Sequence, residues 1–255
     1  MNHHALNRLL TIALPAATLG AFLVMFKNPY LLPFLAPLLL AALVGVLWQL
    51  AGRRWSARLG HFAATPLLLL ASLTLYVSFL LLGRLRVMLV AVVCWLLYVY
   101  LEHVHTYYAQ PERYHSYVWI NLTTYLNLLV ILLMSGGWYW LHLFLDVSLP
   151  AGAIAVAATA SLLGYQQLAF GGGQRQGRVP LLLALTVSLG ELFYVVGWFP
   201  TTPFTNATFI MLAYYVIVGL SRNQLLGTLG PRVIRRYAVI TAASLALVAA
   251  TARWA

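Results

Sequence analysis

The densest group of chemically active side chains lies in the fourth apolar stretch, where the sequence reads Glu-His-Val-His at 102–105. Glu102 and His105 are three residues apart and therefore share one face of a helix. Imidazole and carboxylate groups bind zinc and non-haem iron, and they also act as general acids and bases. His115 follows the turn at Pro111 and could fold back to complete a site. Glu102, His105 and His115 thus form a candidate metal or acid/base site.

The spacing of this group matches no metallopeptidase signature, because His-Glu-x-x-His is absent from the chain. The simpler interpretation is a helix end at the membrane surface, whose polar side chains are solvated. We therefore predict no cofactor, and metal binding or acid/base chemistry on these residues is the less favoured alternative.

A single carboxylate lies inside the seventh apolar stretch. Glu191 is eleven residues beyond Pro180, which at about 1.5 Å per residue places it about 16 Å deep, near the bilayer midplane. Ser188, Tyr194 and Trp198 fall on the same helical face. Intramembrane acids usually face the interior of a helix bundle or line a pathway. We expect the Glu191 face to point inward.

A partner for Glu191 can be proposed from depth in the membrane. Asn127 lies eleven residues beyond Ser116 in the fifth apolar stretch, and Thr123 shares its helical face. The sequence therefore predicts a polar core of Glu191, Asn127, Ser188 and Thr123. The alternative is a protonated Glu191 whose carboxyl group bonds to a backbone carbonyl and contributes only to packing.

Composition decides the class of protein that carries these residues. Of the 255 residues, 63% are apolar and 7% are charged, whereas about a quarter are charged in a soluble domain. So few charges exclude a water-soluble globule, a disordered chain and a coiled coil. Lys27 is the only lysine, which excludes a retinal Schiff base on a late helix, and Cys94 is the only cysteine, which excludes an intramolecular disulfide.

Nine apolar stretches have the length of about 20 residues that a transmembrane helix needs. Helices are required because the stretches do not alternate between apolar and polar residues as barrel strands do. We predict an all-α bundle in one transmembrane domain, 1–255, with spans at about 7–26, 30–51, 61–83, 87–108, 116–134, 149–170, 180–199, 206–221 and 237–254.

The basic residues predict the orientation of these spans. Counted over alternate connections, eleven lie on the amino-terminal side and four on the other side. The positive-inside rule then places the N-terminus in the cytoplasm and the C-terminus outside. Arg84 and Arg86 are exceptions on the outer side. The chain is predicted to be a multi-pass protein of the cytoplasmic (inner) membrane.

Small residues predict where the helices pack closely. Alanines recur every four residues in the last span, from Ala238 to Ala250, and Ala151, Ala155 and Thr159 repeat in the sixth. We expect tight interfaces on both helices. The aromatic segment 138–142 after the fifth span is predicted to lie flat on the outer membrane surface.

The connection 222–236 is predicted to lie along the cytoplasmic surface. Its four arginines should attract anionic lipid, each by about 1 kcal/mol near the surface. No nucleic-acid motif accompanies them, so membrane lipids are the expected partners, with partner membrane subunits or a second copy of the chain as further candidates. The arginines are Arg222, Arg232, Arg235 and Arg236.

Three functions remain open from the sequence. The first choice is a small permease or proton-coupled carrier that uses Glu191 and Asn127. The first alternative is a non-catalytic membrane subunit or assembly factor that binds lipids and partner helices. The second alternative is a membrane-embedded enzyme acting on a lipid or isoprenoid through Glu102, His105 and His115. The sequence does not decide whether the protein is an enzyme, and the two non-enzymatic functions are preferred.

Overall fold

Apolar stretches without water to hydrogen-bond their backbone must form helices, and the structure has this architecture. The computed structural model describes residues 3–53, 57–80, 83–109, 112, 116–170 and 177–251. Within these ranges the chain forms nine α-helices, each long and apolar enough to cross a membrane. The predicted all-α fold is confirmed, and the protein is an integral, multi-pass membrane protein.

The helices follow one another with short connections, and a short 3₁₀ turn, Pro29–Leu31, precedes the second. They are α1 (His3–Lys27), α2 (Leu32–Leu50), α3 (Ala57–Phe79), α4 (Gly83–Ala109), α5 (Ser116–Leu145), α6 (Leu149–Phe170), α7 (Arg178–Val196), α8 (Pro203–Leu225) and α9 (Pro231–Thr251).

The chain divides into two compact units, Met1–Leu122 and Thr123–Ala255. The first unit contains α1 to α4 and the start of α5. The second contains the rest of α5 and α6 to α9. Each unit holds one of the clefts described below.

An aromatic cluster forms the core of the first unit. The Phe62 ring lies 4.7 Å from Trp119 and 4.9 Å from Tyr107, and Tyr100 lies 4.9 Å from Trp119, all between ring centroids. The Tyr100 hydroxyl donates a buried hydrogen bond of 2.6 Å to the Phe62 carbonyl. This contact fixes α4 against α3.

Arg86, one of the two exceptions to the predicted charge distribution, has structural partners. Its guanidinium donates to the Leu80 carbonyl from Nε at 2.9 Å and from Nη2 at 2.5 Å. It also lies 5.0 Å from the centre of the Phe26 ring, within cation–π distance. Arg86 is thus held beside the end of α3.

Close approach of α6 and α7 organises the second unit. A Cβ atom on Gly152 would lie 2.7 Å from the Phe193 ring, and one on Gly190 would lie 3.3 Å from Ala157. Because these glycines lack side chains, bulky residues of one helix fit against the backbone of the other. The sixth span therefore does form a tight interface, but Gly152 and Ala157 make these contacts and not the predicted repeat of Ala151, Ala155 and Thr159.

The corresponding prediction for the last span is wrong within this chain. Ala238, Ala242, Ala246 and Ala250 are all exposed. The beginning of α9 instead contacts α8 through Tyr237, whose ring packs over Gly219 and lies 5.2 Å from Tyr215. The contact between α8 and α9 is made by a large ring over a glycine, so the alanine repeat does not contribute to it.

Two predicted surface segments belong to helices. The aromatic segment 138–142 continues α5, where Tyr139 is buried and stacks on Phe193 at 4.2 Å, so the surface segment predicted there is wrong. The predicted connection 222–236 shrinks to 226–230, because α8 continues to Leu225 and α9 begins at Pro231. Helices α5 and α8 both extend beyond their apolar stretches, because aromatic and basic side chains at a helix end are stable at the membrane surface.

Candidate functional site

The first polar cluster lies between α1 and α4. Thr11 Oγ1 is 3.2 Å from Glu102 Oε2 and 2.8 Å from the Arg8 carbonyl, so its hydroxyl is shared between two acceptors. Asn7 lies one turn before Thr11, and His105 lies one turn after Glu102. The two helices run in opposite directions, which brings both pairs of side chains to the same seam. This first polar cluster consists of Asn7, Thr11, Glu102 and His105.

A cleft of about 230 Å³ opens beside this cluster. Asn7 and His105 line it, and its other walls come from Tyr108, Ala109 and the end of α2 at 50–52. Asn7 Oδ1 and His105 Nε2 are buried and have no hydrogen-bond partner. His105 is only 9% exposed. Two unsatisfied polar atoms in one cleft are costly unless a ligand or water bonds to them.

The positive φ of Gly52, +68°, shapes the wall formed by α2. A residue in this conformation ends the helix, and glycine adopts it without steric cost. Carbonyl groups at a helix C-terminus carry partial negative charge. The α2 end therefore adds acceptor character to a cleft that already contains an amide oxygen.

The structure agrees with part of the sequence interpretation of this region. Glu102 and His105 share a face, whereas the imidazole Nδ1 of His103 lies 2.9 Å from the Val99 carbonyl of its own helix. His115 lies outside the described residues. Among the residues that the structure does describe, no three His, Cys, Asp or Glu side chains converge as metal ligands would.

Asn7 and Thr11 were not singled out from the sequence. They are four residues apart on α1, so they share a face. That spacing in an apolar stretch is the available signal, and the neighbouring Arg8 obscures it, because an arginine at the start of a span indicates orientation.

In the second unit, Asn127 and Thr123 are buried as predicted, at 0% and 4% exposure. Asn127 lies beside Tyr214, a fully buried residue of α8 whose hydroxyl has no hydrogen-bond partner. The sequence predicted a buried polar pair between the fifth and seventh spans, whereas the neighbouring buried polar residues belong to α5 and α8. Tyr214 was missed because nothing in its apolar stretch distinguishes it from Tyr215.

The predicted inward orientation of Glu191 is wrong. The four residues of this face do lie on one side of α7, but all of them are exposed: Ser188, Glu191, Tyr194 and Trp198. The buried face of α7 is apolar: Leu185, Leu189, Phe193 and Val196. Phe193 and Leu185 pack over Gly152 and Gly164 of α6, and this fit turns the opposite face outward. Ser188 and Glu191 consequently lie away from the buried Asn127.

The depth predicted for Glu191 is also refined. The middle of α7, halfway between Arg178 and Val196, is Val187. Glu191 lies one turn farther along, about 6 Å at 1.5 Å per residue. Its carboxyl group is still within the apolar part of the helix, displaced toward the end that is predicted to lie outside.

A second cleft, of about 210 Å³, lies between α5, α6, α8 and α9. Arg222 lines it, whereas Arg232, Arg235 and Arg236 are exposed on the first turns of α9. Gln167, Tyr237 and Thr124 are further polar lining residues. The four arginines predicted to bind lipid therefore divide into one in a cleft and three on the surface.

No protein-family model matches the chain, and no curated protein or solved structure matches it at a significant level.

Proposed function

We propose that the protein is a non-catalytic membrane subunit that binds a transmembrane helix of another protein on the outward face of α7. The observation that carries this proposal is the exposure of Glu191 within an apolar helix. An acidic side chain at the centre of a transmembrane helix costs about 2.5–3.5 kcal/mol when nothing compensates its charge, and one turn from the centre, where Glu191 lies, the cost is smaller. A partner that supplies a donor or a positive charge removes that cost.

The surroundings of Glu191 support a helical partner. Val187, Ser188 and Val195 are exposed on the same side of α7, which gives an apolar strip with one hydroxyl and one carboxyl group. A neighbouring helix could bury this strip while its own polar side chain bonds to Glu191. Interhelical hydrogen bonds and close contact are the forces that associate helices in lipid.

Charge complementarity favours a different protein over a second copy of this chain. In the described part of the chain, every Lys, Arg and His lies within two turns of a helix end. A second copy packed through the same face of α7 would place another carboxyl group beside Glu191, because the only basic residue of α7 is Arg178 at its first position. A helix with a central Lys or Arg complements the face.

Association with a synthetic helix tests the proposal directly. The protein carries a donor fluorophore on Thr228→Cys in a Cys94→Ala background and is reconstituted in phosphatidylcholine vesicles. Acceptor-labelled leucine-rich transmembrane peptides differ only in their central residue, Arg or Leu. We expect saturable energy transfer to the Arg peptide, at least fivefold above that to the Leu peptide, and loss of the difference in Glu191→Gln.

Glu102→Gln is the matched control, because it makes the same chemical change at the carboxyl group that contacts Thr11. It should leave association with the Arg peptide unchanged. Equal energy transfer to both peptides would remove the role assigned to Glu191. Transfer between labelled copies of the chain that depends on Glu191 would make a second copy the partner.

A carrier in which Glu191 lines the substrate route receives less support. Such a route needs the carboxyl group inside the bundle or facing a water-filled cavity, whereas Glu191 is on the outer surface of its unit. The carrier stays a prediction from the sequence. The carrier function predicts that reconstituted protein moves protons or solute without a partner chain, and that this movement depends on Glu191.

A second candidate function is an enzymatic or ligand-binding role of the first polar cluster. The unpartnered Asn7 Oδ1 and His105 Nε2 in one cleft favour it. Native mass spectrometry with elemental analysis would detect a bound metal or small molecule that is lost in His105→Ala. His103→Ala is the control, because the His103 ring contacts its own helix. A ligand retained in His105→Ala would end this candidate.

A further inference from the structure

The cleft of about 210 Å³ in the second unit has the composition of an anion site. Arg222 lines it one turn before the end of α8. Gln167 lines it from the last turn of α6, and its buried Nε2 donor has no hydrogen-bond partner. A guanidinium and an unsatisfied amide N–H in one cleft both require an acceptor.

No acid of the second unit neutralises Arg222 within the described residues. Asp146 follows the C-terminal end of α5, and Glu191 lies in the C-terminal half of α7. The cleft is lined instead by Thr124 in the N-terminal half of α5 and by Tyr237 near the start of α9. The positive charge of Arg222 is therefore available to a ligand.

The shape of the polar wall is fixed by local contacts. Asn223 Nδ2 donates to the Gly219 carbonyl at 2.7 Å, which holds the Asn223 side chain along α8. Gly219 leaves room for the Tyr237 ring, since a Cβ atom there would overlap the ring and its hydroxyl. Tyr215 lies beside Tyr237 with 5.2 Å between ring centroids. The cleft thus has rigid aromatic sides.

Apolar side chains form the remaining wall. Leu128, Val218 and Leu226 line the cleft together with the polar groups. A ligand that fits both walls has an anionic head and a hydrocarbon part. Phosphate is the anion that suits a guanidinium and amide donors, because it accepts several charge-assisted hydrogen bonds at once.

We propose that this cleft is a specific binding site for the phosphate group of an anionic phospholipid, with Arg222 and Gln167 as donors and the apolar wall against an acyl chain. The proposal differs from general attraction of lipid to surface arginines. Arg232, Arg235 and Arg236 are exposed outside the cleft and raise the local concentration of any anionic lipid. Arg222 selects one molecule. This site does not depend on the α7 face.

The experiment measures binding of spin-labelled phosphatidylglycerol and phosphatidylcholine to the full chain in phosphatidylcholine vesicles. We expect a saturable site for phosphatidylglycerol. Arg222→Gln should lower its affinity about tenfold or more, since hydrogen bonds to a charged group are worth that much. Arg222→Lys should retain part of the affinity, because it keeps the charge but loses the planar fork.

Arg232→Gln is the matched control, because it removes the same charge from the same end of the bundle but outside the cleft. It should lower affinity less than twofold. Gly219→Ala provides a second, independent variant: displacement of Tyr237 should weaken phosphatidylglycerol binding without changing the charge. Helix content by circular dichroism verifies that each variant is folded.

Three results would overturn the assignment. Equal loss in Arg222→Gln and Arg232→Gln would mean surface attraction only. Equal affinity for phosphatidylglycerol and phosphatidylcholine would mean that the cleft does not recognise an anionic headgroup. Displacement of phosphatidylglycerol from the site by millimolar inorganic phosphate, with Arg222-dependent phosphate binding in phosphatidylcholine vesicles, would make a soluble phosphate the ligand. Failure of inorganic phosphate to compete supports the lipid.

Discussion

The Tyr100 hydroxyl bonds to the Phe62 carbonyl at the position where α3 lacks its own donor. In a regular helix that carbonyl accepts from the N–H four residues later, but residue 66 is Pro, which has none. Tyr100 on α4 supplies the missing hydrogen bond at 2.6 Å. A sequence feature that weakens one helix thereby becomes a contact between two.

Replacement of Tyr100 by Phe should expose the consequence of this relationship. Loss of a donor to a buried carbonyl is expected to lower the free energy of unfolding by about 1–3 kcal/mol. Reversible unfolding in bicelles, followed by steric trapping, measures the change. Tyr30→Phe is the control, because the Tyr30 side chain is 90% exposed.

Pro66→Ala should reduce the effect of the Tyr100 substitution. The alanine restores the N–H that bonds to the Phe62 carbonyl, so Tyr100→Phe should cost at least about 0.5 kcal/mol less in that background. A double-mutant cycle gives the coupling. An unchanged cost would show that the contribution of the Tyr100 hydroxyl does not depend on the N–H that Pro66 lacks.

Gly152→Ala should destabilise the second unit although alanine favours helices. The added Cβ would lie 2.7 Å from Phe193, whose ring is already stacked on Tyr139. Overpacking of about 1–3 kcal/mol exceeds the gain in helix propensity of about 1 kcal/mol. Gly45→Ala is the control, since nothing lies within 4 Å of a Cβ there. Gly152→Ala should lower the midpoint temperature of thermal unfolding, whereas Gly45→Ala should leave it unchanged.

Thr11 and Glu102 should be energetically coupled across α1 and α4. Thr11→Val removes the hydroxyl that lies 3.2 Å from the Glu102 carboxyl group, and Glu102→Leu removes the acceptor. We expect a coupling free energy of about 0.5–1.5 kcal/mol in the double-mutant cycle. Thr18→Val should show no coupling to Glu102, because Thr18 donates to the Leu14 carbonyl of its own helix.

The predicted orientation can be measured without background, because Cys94 is the only cysteine. In a Cys94→Ala chain, Thr228→Cys probes the predicted cytoplasmic connection and Thr202→Cys probes the predicted outer one. A membrane-impermeant maleimide added to intact cells should label the second variant and not the first. The reverse pattern would invert the orientation assigned from the arginines.

Parts of the candidate sites were predictable, and others were not. Glu102 and His105 could be paired because residues three apart on a helix always share a face. Asn7 and Thr11 could be paired in the same way, but their position opposite α4 depends on which helices are neighbours. Arg222 and Gln167 lie on different helices, and no spacing in the sequence connects them.

The sequence by itself determined that this is a multi-pass helical membrane protein, because nine apolar stretches in lipid have no other way to satisfy their backbone. It also determined that Glu191 and Ser188 share a face. Only the tertiary structure decided that this face points outward. Both faces of α7 are apolar enough to contact lipid, so hydrophobicity does not determine the rotation of the helix. The fit of Phe193 over Gly152 determines it.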